Sequence, residues 1–334
     1  MGSHGGQYGS APRSRAGHGL TSFGRVTDDT WPQPLLDVNG PFSAARIDGA
    51  AEGMGAYGDA TRDLVNAGLV QPDLITGMTL FILARQPRRA RVGAPKKASA
   101  IAGGVWVREQ FTIHRPIKRT DPFVITGVST GRYVKKGRRY GTNTCESHTS
   151  EGSLFASNLT TGLLGYKVQD GLADNVEGLP LEDTPAPLPD WNSAANNPHL
   201  AQLRTATVGQ TLGGEEVLVS LAMMAARDTA NPDNPIHSDL DEAKKAGLER
   251  PIAGGSHVLS FPVEAIMAEF GPESLLHGAH LDTRWKAPTH ADVRIVPTAT
   301  IIEADPDRVV FDLRVDLVDG PTAMVGTITV PLPR

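Results

Sequence analysis

The sequence has a single cysteine and no excess of basic residues. Cys145 is the only cysteine in 334 residues, which excludes an intrachain disulfide and a thiolate zinc cluster and favours a reducing, cytoplasmic setting. The formal net charge is -5, with acidic and basic residues interspersed. This argues against a nucleic-acid-binding surface, which normally shows a dominant basic stripe.

Long apolar runs are also absent. No stretch approaches the roughly 20 apolar residues that cross a bilayer, so we predict a soluble protein that does not act in a membrane. The first residues, MGSHGGQYGSAPRSRAGHG, lack the apolar core of a secretory signal. We expect residues 1 to about 25 to form a flexible tail rich in glycine and serine.

The chain is long enough for two domains of ordinary size. Hydrophobic residues make up 40% and charged residues 21%, as in a globular protein with a core. The stretch QDGLADNVEGLPLEDTPAPLPDWNSAANNPHL, residues 169–200, shows no sustained period of either secondary structure. We predict that it is a linker between a front half, residues 26–168, and a back half, residues 201–334.

The back half reads as one helix followed by strands. Its apolar segment Ser256–Phe270 has the length of a buried helix, with Pro262 expected near the start or at a kink. Among four strand-like stretches, Phe311–Leu317 alternates apolar and charged residues, as a half-buried antiparallel strand does. Asp319-Gly320 marks the reverse turn to a returning strand.

The front half repeats this order. A helix is predicted at Leu74–Ala84, followed by strands near 103–114, 122–134, 139–148 and 153–168, with a hairpin turn at Lys136-Gly137. We therefore predict an α+β fold in which each half is an antiparallel sheet wrapped around a central helix. Pairing of the two sheets edge to edge would remove the exposed edges that each presents alone.

One loop in the back half carries a recognisable motif. Asn234-Pro235-Ile236-His237 is followed after five residues by Ala243, and GLERPIAGG ends at Gly255. These residues resemble the signature of MaoC-like (R)-specific enoyl-CoA hydratases and acyl-thioester dehydratases. The front half, with Phe111–Pro116 and the Lys136-Gly137 hairpin, is similar to the degenerate N-terminal repeat of their double hotdog form.

The resemblance implies a carbon–oxygen lyase. It would hydrate a trans-2-enoyl thioester to the (R)-3-hydroxyacyl thioester, or catalyse the reverse dehydration, in fatty acid, steroid or polyketide metabolism. The thioester would be carried by coenzyme A or acyl carrier protein, and no metal or redox cofactor is needed. The front half would form the acyl tunnel and part of the coenzyme A groove. A homodimer is also expected from the resemblance.

The resemblance also assigns roles to particular residues. His237 would be the main acid and base, which suits a side chain that titrates near working pH. The Gly255 N–H would bind the thioester oxygen, because glycine lets the backbone approach a ligand closely. Asn234 and Ser260 would hold water or substrate. Alternatively, Asn234 caps a helix and Ser260 is a helix serine bonded to local backbone.

The carboxylate that normally works with the histidine is missing from its usual place. The family has aspartate five residues before the histidine, and here that position is Pro232. Asp233 is the obvious substitute, since a slip of one residue in the loop could bring its carboxylate to the same water. Asp228, nine residues upstream, is a second candidate. If neither reaches, His237 acts alone or with water.

Other charged residues have weaker assignments. The basic run Arg85–Lys97, with Arg88 and Arg89, could bind the phosphates of coenzyme A, or it is a solvated loop. We interpret His257, His277, His280 and His290 as structural or surface residues, because their spacing does not suit a metal site. No phosphate-binding or dinucleotide fingerprint follows a strand.

Two other functions remain open from sequence. The protein could bind acyl thioesters without catalysis, having lost the aspartate. It could also be a thioesterase, since other hotdog branches are hydrolases, although the Asn-Pro-Ile-His loop argues against that interpretation.

Overall fold

The computed structural model describes residues 32–84, 105–163, 174, 189–228, 235–245 and 247–334. The predicted tail and residues 169–173 and 175–188 of the predicted linker lie outside this part of the chain. The described residues belong to one compact unit.

The front half begins with short elements and ends with long strands. Its helices are α1 (Ala44–Glu52), α2 (Asp59–Asn66), α3 (Pro72–Thr76) and α4 (Met78–Ala84), with a 3-10 turn at Gly55–Tyr57. Its strands are β1 (Gln33–Pro34), β2 (Val38–Asn39), β3 (Val105–Ile113), β4 (Phe123–Lys135), β5 (Arg138–Thr149) and β6 (Leu154–Leu163).

The rest of the described chain, from the end of the predicted linker onward, repeats this arrangement. Its helices are α5 (Trp191–Ala194), α6 (Leu200–Leu203), α7 (Leu221–Asp228), α8 (Leu240–Lys245) and α9 (Gly255–Phe270), with a 3-10 turn at Pro235–His237. Its strands are β7 (Thr211–Gly213), β8 (Val217–Val219), β9 (His280–Trp285), β10 (Val293–Ala304), β11 (Arg308–Leu317) and β12 (Thr322–Pro331).

The twelve strands of the described residues form one sheet. Its order is β1-β4-β5-β6-β3-β9-β12-β11-β10-β7, with β2 also pairing with β4 and β8 with β10. The order is the same in each half when it is followed outward from the centre. The halves meet where β3 pairs antiparallel with β9, from Arg108 opposite Arg284 to Thr112 opposite His280. The predicted edge-to-edge pairing of two antiparallel sheets is present.

Both predicted hairpin turns are present. Lys136 and Gly137 connect β4 to β5 with φ angles of 52° and 68°, the left-handed pair that a two-residue hairpin needs. At Asp319-Gly320, the Gly320 N–H donates to the Leu317 carbonyl oxygen at 3.2 Å. Along β11, Phe311, Leu313 and Val315 are fully buried, as the alternating pattern predicts.

Helix α9 is the central helix of the back half. Eleven of its 16 residues are buried, and it starts one residue before the predicted Ser256. Of the two expectations for Pro262, the position near the helix start is wrong, because Pro262 is inside the helix and the helix continues past it; the kink stays a prediction. The packed surroundings of the buried segment override the cost of one missing backbone N–H.

In the described part of the front half, no such continuous helix is present. The prediction of one helix over Leu74–Ala84 is wrong, because Gly77 separates α3 from α4. The Gly77 N–H donates to the Leu74 carbonyl oxygen, three residues back, at 3.1 Å. This tighter turn ends α3, whose start is set by Pro72 in the first helical position.

The end of the predicted linker is docked on the sheet. Asp190 caps α5 by accepting from the backbone N–H groups of Asn192 and Ser193. Its carboxylate also lies 3.2 Å from His114 Nδ1, and its N–H donates to the Gly278 carbonyl oxygen at 3.1 Å. The residues from 189 onward therefore belong structurally to the folded unit.

The core contains matching aromatic side chains from the two halves. Six phenylalanines are fully buried, three in each half: Phe111, Phe123, Phe155, Phe261, Phe270 and Phe311. No helix within the described residues is long and apolar enough to cross a membrane.

Candidate active site

His237 lies on a short turn before α8. Pro235–His237 form the 3-10 turn, and the Asp239 N–H donates to the Pro235 carbonyl oxygen at 2.8 Å. Asp239 then caps α8 by accepting from the N–H groups of Asp241 and Glu242. The cap of this helix is therefore Asp239, and the turn is held between it and the rigid ring of Pro235.

The imidazole of His237 is oriented by the backbone. Its Nδ1 lies 2.6 Å from the Ile252 carbonyl oxygen. A carbonyl oxygen only accepts, so Nδ1 carries the hydrogen and the neutral ring has its lone pair on Nε2. Removal of the ring from water lowers the pKa of His237, the bond to Ile252 acts in the opposite direction, and the charge of Arg227 lowers the pKa further. The ring is therefore neutral near pH 7.

The ring of His237 faces the start of α9. A Cβ atom placed on Gly254 would lie 3.9 Å from His237 Cε1. Gly254 is the N-cap of α9 and has no side chain to accept from the first amides of the helix. These amides and the helix dipole favour negative charge at this end.

Gly255, the first residue of α9, lies under a tryptophan. A Cβ atom on Gly255 would come within 2.8 Å of the Trp285 ring, which is too close for any side chain to fit without movement. Trp285 Nε1 donates to the Gly255 carbonyl oxygen at 3.0 Å. The Trp285 ring also packs on Trp106 of the front half, with centroids 5.7 Å apart. Residue 255 must therefore be glycine for this packing.

Arg227, at the end of α7, carries the positive charge next to this helix start. Its Nη2 donates to a carboxylate oxygen of Asp73 in the front half and to Ser256 Oγ, the latter at 3.3 Å. The side chains of Arg227 and Asp73 are 10% and 2% exposed. A buried ion pair therefore joins the two halves at the first turn of α9.

Glycines on α1 fix the position of Arg227. A Cβ atom on Gly49 would lie 2.4 Å from the Ala226 carbonyl oxygen, and one on Gly53 would lie 2.7 Å from Arg227 Cβ. The backbones of α1 and α7 therefore approach too closely for larger residues. His257 adds to this contact, because its Nε2 lies 2.8 Å from the Gly53 carbonyl oxygen.

The candidate carboxylates differ in what the structure describes. Asp233 and Asn234, like Arg88 and Arg89, lie outside the described residues, and their predicted roles stay predictions. Asp228 lies at the end of α7. Its Oδ2 accepts from the hydroxyl of Ser238, the residue after His237, at 3.4 Å. Asp228 is therefore in contact with the residue that follows His237.

Ser260 lies one turn further into α9. Its Oγ donates to the His257 carbonyl oxygen at 2.6 Å and lies 2.8 Å from Met54 Sδ, and the residue is 1% exposed. These contacts agree with the alternative of a helix serine bonded to local backbone. Its role in holding substrate stays a prediction.

The remaining histidines take part in packing. His257 stacks on Phe261 with centroids 5.4 Å apart, and burial, followed by the charge of Arg227, lowers its pKa to about 3. His280 lies 3.0 Å from Thr112 Oγ1, and burial lowers its pKa to about 4. Within the described part of the chain, no group of three or more His, Cys, Asp or Glu side chains is arranged to hold a metal.

Sequence reasoning missed Arg227, Asp73 and Trp285. Asp73 and Arg227 are separated by 154 residues, and neither belongs to the histidine motif. Gly49 on α1 and Gly53 at its C-terminal cap form no motif that the sequence reveals. Their small size matters only because α7 packs against them. Trp285, at the end of β9, reads in the sequence as an ordinary strand residue.

The architecture is a double hotdog fold, as predicted. A solved structure described as a MaoC-like dehydratase matches at 18% identity with a TM-score of 0.62, over 89% of this chain and 96% of that chain. A conserved hypothetical protein from Mycobacterium tuberculosis, described as a double hotdog fold, matches at 17% identity with a TM-score of 0.55, over 91% and 96%. The chain is thus similar in fold to MaoC-like double hotdog proteins.

The same fold also occurs with another described activity. A putative oleoyl thioesterase from Lactobacillus plantarum matches at 13% identity with a TM-score of 0.53, over 90% of this chain and 97% of that chain. No family model matches this sequence, and no curated protein matches it significantly.

Proposed function

We propose that the chain adds water across the 2,3-double bond of an enoyl thioester, or removes it in the reverse direction, with His237 as the acid and base. One observation carries the proposal: the His237 ring, fixed by Ile252, faces the start of α9 at Gly254. A neutral imidazole and a helix start that favours anions are the two groups that this reaction needs.

The tautomer of His237 sets the direction of proton transfer. The hydrogen on Nδ1 is donated to the Ile252 carbonyl oxygen. Nε2 is therefore the atom that takes the proton from the attacking water. The water oxygen bonds to C3 of the substrate while negative charge moves to the thioester oxygen. His237 then returns the proton to C2. In the dehydration direction the same steps run in reverse.

The thioester oxygen would bind at the first turn of α9. The Gly255 N–H is the proposed donor, and the Trp285 ring over Gly255 keeps this backbone in place. The partner carboxylate for the water is Asp233 or Asp228, and Asp228 is connected to the histidine turn through Ser238. Neither choice changes the role of His237.

The substrate class follows from the resemblance in the histidine loop. We infer a coenzyme A or acyl carrier protein thioester and an (R)-3-hydroxyacyl product, with Arg88 and Arg89 as phosphate ligands. The front half would supply the acyl tunnel. Support for this substrate class comes from the loop motif and from the fold shared with a MaoC-like dehydratase.

The test is loss of the enoyl absorbance on addition of protein to crotonyl-CoA and to a longer or polycyclic enoyl-CoA. We expect turnover by the native chain and a decrease in kcat of about 10² to 10⁴ for His237→Ala, the usual contribution of a general acid or base. His148→Ala is the matched control, because His148 lies on β5 and bonds only to Glu146 and Gly152 among described residues.

Other outcomes would select another function. Binding of acyl thioesters with no change in enoyl absorbance would indicate a non-catalytic acyl-thioester-binding protein. Release of free thiol would indicate a thioesterase, an activity that the shared fold makes worth measuring in the same samples. Full activity in His237→Ala would remove His237 from the mechanism.

A further inference from the structure

Arg227 has a donor that no described residue uses. Its Nη2 is bonded to Asp73 and Ser256, whereas its Nη1 is shielded from solvent and finds no acceptor among the described residues. A buried charged donor without an acceptor is costly. The cost is removed when an anionic ligand supplies the acceptor.

The surroundings of Arg227 favour an anion at this position. Ser256, which Arg227 contacts, is the residue after Gly255 on the first turn of α9, where amides and helix dipole attract negative charge. The positive charge also lowers the pKa of both His237 and His257. Arg227, the helix start and His237 therefore surround one region.

The ion pair explains how the charge is kept there. Asp73 is almost fully buried and accepts from Nη2, so the guanidinium cannot move toward solvent. The close contacts of Gly49 and Gly53 with α7 hold the backbone of Ala226 and Arg227. A guanidinium fixed in this way is preorganised, which is the condition for electrostatic stabilisation of a transition state.

We propose that Arg227 Nη1 is a second donor to the thioester oxygen, beside the Gly255 N–H, and that Asp73 is the positioning residue that holds it. The inference rests on the proposed function. When the water oxygen bonds to C3 and His237 takes its proton, the π electron pair of the 2,3-double bond shifts to make the C1–C2 single bond a double bond. The electron pair of the carbonyl bond then moves onto the thioester oxygen, where Arg227 and Gly255 stabilise it until C2 is protonated.

The experiment uses the full chain and the double variant Arg227→Gln/Asp73→Asn. Removing both charges avoids leaving one buried charge unpaired, which by itself would strongly destabilise the fold. Acetoacetyl-CoA is the probe, because the absorbance of its enolate reports stabilisation of the thioester oxyanion without any turnover. The double variant Arg62→Gln/Asp59→Asn, which removes an exposed ion pair on α2, is the control.

We expect the native chain and the control to shift bound acetoacetyl-CoA toward the enolate, and Arg227→Gln/Asp73→Asn to lose this shift. With enoyl-CoA, kcat of this variant should fall about 10²-fold, the effect of removing one oxyanion donor, with KM nearly unchanged. Guanidinium ion added to Arg227→Ala should restore part of kcat, and it should not do so in His237→Ala.

Three results separate the possible failures. A folded Arg227→Gln/Asp73→Asn protein that retains the enolate shift and kcat would overturn the role of Arg227 while the hydratase proposal stands. An enolate shift that depends on Arg227, without turnover of any enoyl thioester, would keep this anion site and reject the hydratase proposal. The absence of both in the native chain would reject both.

Discussion

The two halves of the molecule share a strand order but differ where their central helices begin. In the back half, Gly254 and Gly255 open a continuous 16-residue helix beside His237. In the front half, Pro72 and Asp73 open a helix of five residues that ends at Gly77. The back half therefore has a helix start without a side-chain cap, next to a histidine. The front half has a carboxylate, Asp73, in the first turn of its helix α3. The candidate site is made by both halves.

The buried carboxyl groups of the two halves also differ. Glu264, on α9, accepts from the N–H groups of Ala60 and Thr61 at 2.7 and 3.0 Å and from Thr61 Oγ1 at 2.6 Å. Glu109, on β3, accepts from Asn158 at 3.0 Å, and its Oε2 accepts from no described residue. Burial raises the pKa of both groups, but only Glu264 has three close donors.

The largest expected effect comes from adding a methyl group at the first residue of α9. Gly255→Ala should lower kcat about 10²-fold, because the new Cβ meets the Trp285 ring at 2.8 Å and a displacement of about 1 Å near the site has that effect. The measurement is enoyl-CoA turnover together with thermal unfolding.

Gly77→Ala is the matched change in the front half. Its Cβ would lie 3.2 Å from the Leu74 carbonyl oxygen, and the φ angle of −68° suits alanine. We expect unchanged kcat and a stability change within about 1 kcal/mol, the range of glycine-to-alanine helix effects. Equal loss of kcat in the two variants would mean that the effect of Gly255→Ala is not specific to the start of α9.

The second effect concerns Glu264. Glu264→Gln should lower the free energy of unfolding by about 1.5–3 kcal/mol at pH 7, the range for a hydrogen bond to a charged group, because an amide offers only one oxygen to the donors at the start of α2. Urea unfolding measures this change. A variant as stable as the native chain would show that the three contacts do not depend on an ionised carboxylate.

The smallest effect concerns Glu109 and appears as a pH dependence. The pKa of Glu109 is raised in the folded state, so the folded state binds its proton more tightly than the unfolded state does. The stability that this provides is fully present below about pH 4.3, the pKa of glutamate in the unfolded chain. It is lost as the pH rises through the folded pKa. Glu109→Gln stays neutral, so we expect its stability to decline less from pH 4 to pH 8. Parallel curves for the native and variant chains would exclude a raised pKa.

Much of the sheet could be predicted because its long strands carry local patterns. β11 alternates along its length, and its turn at Asp319-Gly320 has the residues that a reverse turn requires. The edge strands could not be predicted, since β1 and β2 have two residues each and no periodicity can be read from two residues. The break at Gly77 was missed because glycine is tolerated inside many helices.

The candidate site divides in the same way. His237 and Gly255 lie in one continuous motif, so residue spacing predicted their importance. The pair of Arg227 and Asp73 depends on packing between residues 154 positions apart, which no local pattern encodes. Pro232 stands where the motif of the resembling family has aspartate, and the structure connects the candidate Asp228 to the histidine turn through Ser238.

The pairing of β3 with β9 has a genetic consequence. Two separate identical subunits would meet through two copies of every residue, so each substitution would appear twice at their boundary. Here the halves are encoded once in one chain, and the second is held near the first at any protein dilution. A substitution that introduces aspartate at residue 73 can therefore arise in the front half alone. It does not place a carboxylate at Gly255, at the helix start of the back half.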